Sequence, residues 1–189
     1  MIHFDAKLVP APEMVVLREL EKANVSKGGF YLSDDALKNA RSGFCVVEAV
    51  GSVAFDKTKL KRGDYVYADR LASYYHTEPI MVMKWDNILL LTDENKSNLS
   101  TMPGWVLMTM AKEESAFVLA TEDASSVRHG IVKSINYGDT KIENCPFSAG
   151  DDVLITRQCD IYDGFGPERL VAMKISEVIA RFDYDGGRN

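Results

Sequence analysis

Short runs of aliphatic, β-branched and aromatic residues, separated by glycine, aspartate, proline and lysine, recur along this chain. Runs of this length and composition are typical of half-buried β-strands. Their close spacing predicts an all-β fold, built as a barrel or a sandwich. The predicted strands lie at residues 15–17, 44–50, 65–67 and 80–83 in the first half and at residues 105–110, 131–135, 153–155 and 170–173 in the second.

The two halves of the chain match each other in the spacing of their glycines. The matched positions, 87 residues apart, are Gly43 with Gly130, Gly51 with Gly138, and Gly63–Asp64 with Gly150–Asp151. The pair Met83–Lys84 returns as Met173–Lys174 at the slightly longer offset of 90 residues, a change that a surface loop absorbs. Agreement of spacing and of residue pairs together predicts a tandem duplication.

A polar, turn-rich stretch separates the two halves. Residues 93–104 are rich in Asp, Asn, Ser, Thr and Pro, which is the composition of a linker. We therefore predict a first domain at residues 1–92, a linker at 93–104 and a second domain at 105–189. Two segments of mixed polarity, residues 33–40 and 122–127, are interpreted as loops.

Composition limits the classes of function that the chain can have. Its 189 residues are 46% hydrophobic and 26% charged, with a formal net charge of −6, which argues against a surface for nucleic acid. No apolar stretch approaches the roughly 20 residues that cross a bilayer, and the first residues lack the pattern of an export signal. Three cysteines without a CxxC pair predict reduced thiols. We expect a cytoplasmic protein with no membrane partner.

No constellation of residues predicts an enzyme. His3, His76 and His129 lie far apart, and none has a second His or a Cys at the spacing of metal ligands. The chain also has no Walker-type glycine loop and no GxSxG sequence. We expect no catalytic residues, no metal site and no cofactor.

Five segments of the first half stand in the order and spacing of one known family. They are residues 13–17, 26–32, 46–51, 60–66 and 86–89. In this arrangement residues 8–92 resemble the GroES-type co-chaperonins, the lids of ATP-driven chaperonin rings. The resemblance implies two tandem GroES-like β-barrels, each with a mobile loop.

In that family the segment at residues 26–32 is a mobile loop, which folds on contact with the chaperonin and delivers an apolar tripeptide. The resemblance therefore implies that Gly28 and Gly29 form a flexible hinge. Phe30, Tyr31 and Leu32 would then be the anchor. The residues by themselves leave a second interpretation open, in which 30–32 form a strand of the core.

The second half resembles a diverged copy of the first. Phe117, Val118 and Leu119 stand where the second anchor would lie, but Ser115–Ala116 replaces the diglycine. The segment before Phe117 is also shorter than its counterpart. Residues 117–119 are therefore candidate chaperonin contacts, with a fixed core strand as the alternative.

The resemblance also implies partners. They are a GroEL-type chaperonin that binds the ATP, an unfolded client protein, and further copies of this chain in a ring. In the family, rings of seven close when the first strand of one subunit pairs with the last strand of its neighbour. The strands expected to pair in this way are residues 13–17 and 88–91 in the first half and residues 105–110 and 178–182 in the second. Seven is odd, so either both halves enter one ring of another symmetry or the second half forms another tier. We favour the former.

The segment from Gly51 to Gly63 departs from the family, whose bacterial members carry a longer β-hairpin there. A short hairpin would leave the top of the cage thinly covered, as in phage-encoded co-chaperonins, so a viral origin and a host-cytoplasmic location stay open. The sequence predicts a co-chaperonin that caps a chaperonin ring. The alternative is a virion structural or assembly protein that uses the same barrel without binding a chaperonin.

Overall fold

The computed structural model describes residues 8–20, 42–110, 127–139, 147–156, 161–165, 168 and 170–182. The chain divides into two compact units, Met1–Met102 and Pro103–Asn189. The elements of the first unit are β1 (Met14–Glu19), β2 (Ser42–Val50), α1 (Ser52–Thr58), β3 (Tyr65–Asp69), β4 (Tyr75–Thr77), β5 (Ile80–Lys84), β6 (Ile88–Thr92) and β7 (Ser100–Thr101). Those of the second are β8 (Trp105–Met110), β9 (Val127–Asn136), β10 (Asp152–Thr156), β11 (Tyr162–Phe165), β12 (Leu170–Lys174) and β13 (Val178–Arg181).

The two units have the same strand order. The sheet of the first unit runs β4-β5-β1-β2-β3-β6-β7, and that of the second runs β11-β12-β8-β9-β10-β13. A short 3-10 turn precedes the last strand of each common set, at Trp85–Asn87 before β6 and at Ile175–Glu177 before β13. Within the residues that the structure describes, the strand orders differ in β7, which extends the first sheet beyond β6.

Both cores are built from the apolar residues that the sequence analysis assigned to strands. In the second unit they form one cluster, in which Val106, Met108, Val153 and Met173 are fully buried. The first unit buries its strands in the same way. The all-β prediction is confirmed, with α1 as the single α-helix among the described residues.

The sheets are not the closed barrels that we expected. In each unit the strands at the two ends of the sheet are different strands that do not pair with each other. Closure needs hydrogen bonds between the first and last strands, because only they remove the edges of a sheet. Each unit is therefore an open antiparallel sheet in the part of the chain that the structure describes.

The Gly-Asp pairs, which are matched in the sequence, form the same tight turn in both units. Gly63 and Gly150 each have φ +93°, a conformation that costs glycine little. The aspartate after each glycine stabilises the turn, because its carboxylate accepts a hydrogen bond from the backbone N–H three residues earlier. Asp64 accepts from Lys61 at 2.7 Å, and Asp151 accepts from Ser148 at 2.8 Å.

The second strand of each unit is shifted by two residues from the predicted match. The turn is clamped by Val47 in the first unit, whose N–H donates to the Asp64 carbonyl at 2.8 Å, and by Val132 in the second, whose N–H donates to the Asp151 carbonyl at 2.9 Å. Val47 therefore corresponds to Val132, whereas the offset of the glycines pairs it with Ser134. The matches of Gly43 with Gly130 and of Gly51 with Gly138 are wrong by two residues.

The segment after Gly51 forms a helix, α1, and not a short hairpin. Only Ala54 of this helix is buried, and Lys59 ends it in the left-handed conformation with φ 60°. A Cβ on Gly51 would collide with the carbonyl of Ala11. Glycine is therefore required where the chain leaves β2 for the helix.

The predicted linker, residues 93–104, contributes to the first sheet. Within it, β7 pairs with β6, so that Ser100 lies opposite Leu91 and Thr101 opposite Leu90. The division between the two units falls between Met102 and Pro103.

Two strands that we expected at sheet edges lie inside the sheets. β1 pairs with both β2 and β5, and β8 pairs with both β9 and β12. A strand that has neighbours on both sides offers no backbone groups to another chain. The expectation that residues 13–17 and 105–110 supply edges for ring closure is therefore wrong.

Candidate functional site

The predicted chaperonin anchors fall in equivalent places of the two units. Residues 28–32 lie in the connection from β1 to β2, and residues 117–119 lie in the connection from β8 to β9. Gly28, Gly29, Phe30, Tyr31, Leu32, Phe117, Val118 and Leu119 are all outside the described residues. The structure therefore describes the candidate site only at the ends of β1 and β8, where these connections begin. These two places are called the bases of the connections.

The base of the first connection is held by backbone hydrogen bonds on both sides. The Glu19 N–H donates to the Pro79 carbonyl at 2.7 Å, and the Leu20 N–H donates to the Phe44 carbonyl at 3.0 Å. The ladder between β1 and β2 thus continues to the last residue of β1. The connection starts from backbone that neighbouring strands fix on either side.

A buried ion pair lies at this base. Arg70 Nε is 2.9 Å from Glu19 Oε1, with side chains only 6% and 9% exposed, and Arg70 Nη2 donates to Glu19 Oε2 at 3.1 Å. The hydrogen bond from Nη2 and the short contact of Nε with the carboxylate hold the two charged groups against each other. Removing either partner would leave the other charge buried, so the pair ties the end of β1 to the residue that follows β3.

Residues near Arg70 orient its side chain towards Glu19. Asp69 accepts the Leu71 N–H at 3.0 Å and so caps the 3-10 turn Arg70–Ala72. Gly43 leaves room for the arginine, because a Cβ there would lie 2.9 Å from Arg70 Cγ. A side chain at position 43 would displace the guanidinium from its carboxylate.

Two further ionisable side chains approach Glu19. His76 Nε2 lies 3.5 Å from Glu19 Oε2, and Glu19, His76 and Glu78 each offer a ligand atom within 4.8 Å of the others. The Arg70 guanidinium already supplies positive charge to Glu19, which disfavours a divalent cation at the same carboxylate. We assign no metal to this cluster.

The base of the second connection has a methionine where the first has Glu19. Met110 of β8 lies opposite Gly130, just as Glu19 of β1 lies opposite Cys45. A Cβ on Gly130 would lie 2.8 Å from Met108 Sδ, so the sulfur packs directly on the backbone of β9.

A second charged group lies on the outer part of the first sheet. Arg18 Nε donates to Glu48 Oε1 at 2.7 Å, and Arg62 Nη2 donates to Glu48 Oε2 at 3.3 Å. The hydrogen bond from Arg18, followed by the charges of Arg18 and Arg62, lowers the pKa of Glu48 below its ordinary value. Burial raises the pKa of the Tyr67 hydroxyl on the neighbouring strand β3.

The ion pair of Glu19 and Arg70 was not predicted from the sequence. The two residues lie 51 positions apart, and neither belongs to a periodic pattern or a spacing motif. One partial signal is Gly43, because a glycine inside a strand often marks close approach of another group.

Comparison with known proteins gives the family. No family model matches this chain. A stretch of 94 residues is 30% identical to the co-chaperonin GroES of Solidesulfovibrio magneticus, covering 46% of this chain and 98% of that protein. The chain belongs to the GroES co-chaperonin family.

Membership of the GroES family agrees with the prediction that the chain is not an enzyme. The GroES relative matches only 46% of this chain, so the chain carries about as much sequence again outside the match. Among the described residues, no helix has the length and apolar character needed to cross a membrane.

Proposed function

We propose that this protein is a co-chaperonin that caps a GroEL-type chaperonin ring and assists the folding of an unfolded client. The observation that carries the proposal is the 30% identity to a GroES co-chaperonin over 98% of its length. The chain has no role in nucleotide chemistry in this proposal, because ATP binds to the partner chaperonin. It acts in the cytoplasm, or in that of the host if the protein is viral, and it needs neither nucleic acid nor membrane.

Chaperonin contact is proposed for the connection between β1 and β2. Gly28 and Gly29 allow the chain to adopt positive φ, and the flanking residues are polar. Phe30, Tyr31 and Leu32 then enter an apolar groove of the partner. Burial of side chains of this size contributes about 1.5–3 kcal/mol each, and ordering of the connection offsets much of it. A single contact is therefore weak.

A ring of such contacts would raise the overall affinity. Linking several weak contacts increases avidity by about two to four orders of magnitude, while each contact stays easy to release. A lid that leaves the chaperonin in every ATP cycle needs this combination. We therefore propose that copies of the chain form a ring.

We also propose that the two units are copies of one domain. Support comes from their common strand order, from the matching Gly-Asp turns and from a bulge between the third and last strands, at Tyr67/Ala68 in one unit and at Leu154/Ile155 in the other. Residues 117–119 would then be the second anchor. Its missing diglycine and the shorter segment before it favour a weaker contact than that of residues 30–32.

The test is capture of the tagged full chain by a bacterial GroEL-type chaperonin with and without ATP. We expect co-elution that depends on the nucleotide, because a lid binds one state of the chaperonin. Absence of binding under both conditions would contradict the proposal and would favour a structural or assembly role for the same fold.

A further inference from the structure

Three apolar side chains are exposed where the chain enters β4. Leu71 is 72% exposed, Tyr74 is 66% exposed and Tyr75 is 38% exposed. Single apolar side chains scattered over a surface are normal in a folded protein. A group of them within one short segment is typical of a site that contacts another molecule.

The backbone that carries these side chains is fixed by the fold. Arg70, the residue before Leu71, is buried. The Ser73 hydroxyl donates to the Arg70 carbonyl at 2.9 Å, and the Tyr74 N–H donates to the Val82 carbonyl at 2.9 Å. A partner that binds here does not have to order this backbone, which favours association.

β4 is an edge of the first sheet, since among the described residues it pairs with β5 and with no other strand. Thr77 lies opposite Ile80 across a two-residue turn, so these two form a hydrogen-bonded pair. Hydrogen-bonded and non-hydrogen-bonded pairs alternate along an antiparallel ladder, which makes His76 and Met81 a non-hydrogen-bonded pair. The backbone N–H and C=O of His76 are therefore directed outwards, where another strand can reach them.

The equivalent strand of the second unit buries its tyrosine. Tyr162 of β11 lies opposite Ala172, just as Tyr75 of β4 lies opposite Val82. Tyr162 is 4% exposed, and its ring packs edge-on against that of Trp105 with 5.5 Å between the centroids. The exposed aromatic side chains are therefore a feature of the first unit and do not follow from the strand order that the two units share.

Two carboxylates lie near this edge. Glu19, His76 and Glu78 each have an oxygen or nitrogen atom within 4.8 Å of the others, and the Arg70 guanidinium offsets the charge of Glu19. Glu78 is exposed, so its carboxylate is accessible to a basic side chain of a partner. Complementary charge favours a partner that carries a lysine or an arginine next to its apolar residues.

We propose that the edge of β4 binds an extended apolar segment of the unfolded client, which adds to the first sheet as a further strand. In a folded protein most backbone groups are paired, whereas an unfolded chain has them available. The outward N–H and C=O of His76 therefore favour an unfolded partner. Leu71, Tyr74 and Tyr75 contact its apolar side chains, and Glu78 pairs with a basic one.

The contact is short and therefore weak, because it consists of the backbone hydrogen bonds of His76 and a few apolar side chains. A client has to leave once it has folded. Folding pairs the backbone groups of the bound segment within the client itself, so the client loses the groups that held it to β4. The client belongs to the proposed function, on which this contact rests. The test below uses no chaperonin, so the two proposals can fail separately.

Binding of a fluorescent peptide to the full chain tests the contact, with fluorescence anisotropy as the measurement. In this peptide valine and threonine alternate around one central lysine, which gives it an apolar face, a basic group and an extended backbone. We expect saturable binding. The same peptide with every backbone nitrogen methylated keeps its side chains but has no N–H to donate, so it should bind roughly fivefold more weakly or weaker still.

Two substitutions at one position separate the backbone of His76 from its side chain. His76→Pro removes the outward N–H and no hydrogen bond to β5, whereas His76→Ala removes the imidazole alone. We expect His76→Pro to weaken binding of the peptide roughly fivefold or more, and His76→Ala to change it less than about twofold. Equal losses would overturn the proposal. If His76→Pro lowers the melting temperature, the methylated peptide makes the same test on the natural chain.

The apolar part of the contact is tested by Leu71→Ser/Tyr74→Ser. The matched control is Val53→Ser/Phe55→Ser on α1, where the side chains are also exposed, at 38% and 41%. We expect the first variant to bind the peptide roughly tenfold more weakly and the control to bind it like the natural chain. Both should keep their melting temperature, because exposed side chains add little to the core.

Three results would overturn the proposal. The first is no binding of the peptide by the natural chain, and the second is an equal loss of binding in the variants of β4 and of α1. The third is self-association of the chain that His76→Pro disrupts and His76→Ala does not, together with no binding of the peptide. That result would show that a second copy, and not a client, covers the edge of β4.

Discussion

Leu89 and Ile179 occupy the same place in two sheets of one strand order, yet Leu89 is fully buried and Ile179 is 54% exposed. The difference follows from β7 and the residue after it, Met102, whose N–H donates to the Leu89 carbonyl at 3.0 Å. Where the edge of the last strand is covered, the apolar side chain is covered as well. Ile179 therefore exposes an apolar side chain at a position that is buried in the first unit.

The same substitution at these two positions should have unequal effects on the stability of the fold. Leu89→Glu buries a carboxylate in the first core, which should lower the free energy of unfolding by more than about 4 kcal/mol. Ile179→Glu should change it by no more than about 1 kcal/mol, because the side chain is half exposed. Thermal melts measure both effects, and equal losses of stability would contradict the difference in burial between the two positions.

The ion pair of Glu19 and Arg70 should show strong coupling in a double-mutant cycle. Arg70→Met leaves the Glu19 carboxylate buried without its guanidinium and should cost about 3–5 kcal/mol. The double variant Glu19→Leu/Arg70→Met should cost less than the single change, because no charge is then stranded. Urea unfolding measures each variant.

The exposed pair of Lys84 and Glu13, 3.6 Å apart, is the control for that cycle. Its removal should change stability by less than about 1 kcal/mol, since both side chains are solvated. Equal costs for the buried and the exposed pair would contradict the structural role of Arg70.

The lowered pKa of Glu48 predicts how its contribution depends on pH. A carboxyl group whose folded pKa lies below its unfolded value stabilises the fold at pH values above the unfolded one, about 4.3, and loses that effect as the pH falls through the folded pKa. Glu48→Gln should therefore cost up to about 1 kcal/mol at pH 7, after allowance for solvent screening. The difference from the natural chain should vanish in acid.

Unfolding by urea at a series of pH values measures the Glu48 effect, with Glu94→Gln at an exposed position as the control. High salt should reduce the cost of Glu48→Gln, because Arg18 and Arg62 are partly exposed. A cost that stays constant from neutral to acid pH would show that Glu48 acts through packing and not through its charge.

Strands and turns were readable from the sequence because their signals are local. The Gly63–Asp64 turn needs a glycine that adopts positive φ, and an aspartate whose carboxylate accepts the N–H of the residue three positions before it. Both requirements are met by residues close together in the sequence. The helix α1 lacked such a signal, since Gly51 gives it no side-chain cap and only Ala54 is buried. An isolated short helix with one buried residue has no apolar periodicity to detect.

Sheet order and register could not be read in the same way. Pairing β1 between β2 and β5 depends on contacts between distant parts of the chain, and a matched glycine does not show which residues lie opposite each other. The match of Gly43 with Gly130 was wrong for this reason. The ion pair of Glu19 with Arg70 likewise joins strands that only the folded sheet brings together.

The two candidate anchors should contribute unequally to chaperonin binding. Tyr31→Ser/Leu32→Ser should abolish capture by the chaperonin and barely change the melting temperature, because the proposed function assigns these side chains to the chaperonin contact and not to the core. Val118→Ser/Leu119→Ser should weaken capture less. A large loss of thermal stability at positions 31 and 32 would show that they belong to a core strand, and equal losses of binding would contradict the ranking of the two anchors.

The number of chains in the assembly should be three or four. If each chain supplies two units to one ring, the ring holds an even number of units, and six and eight are the even numbers next to the seven of the family. Native mass spectrometry should then give three or four times the 21.1 kDa of the single chain. A heptamer, at seven times the mass of the chain, would mean that each chain places one unit in a ring and stacks the other, and a stable monomer would contradict the ring itself.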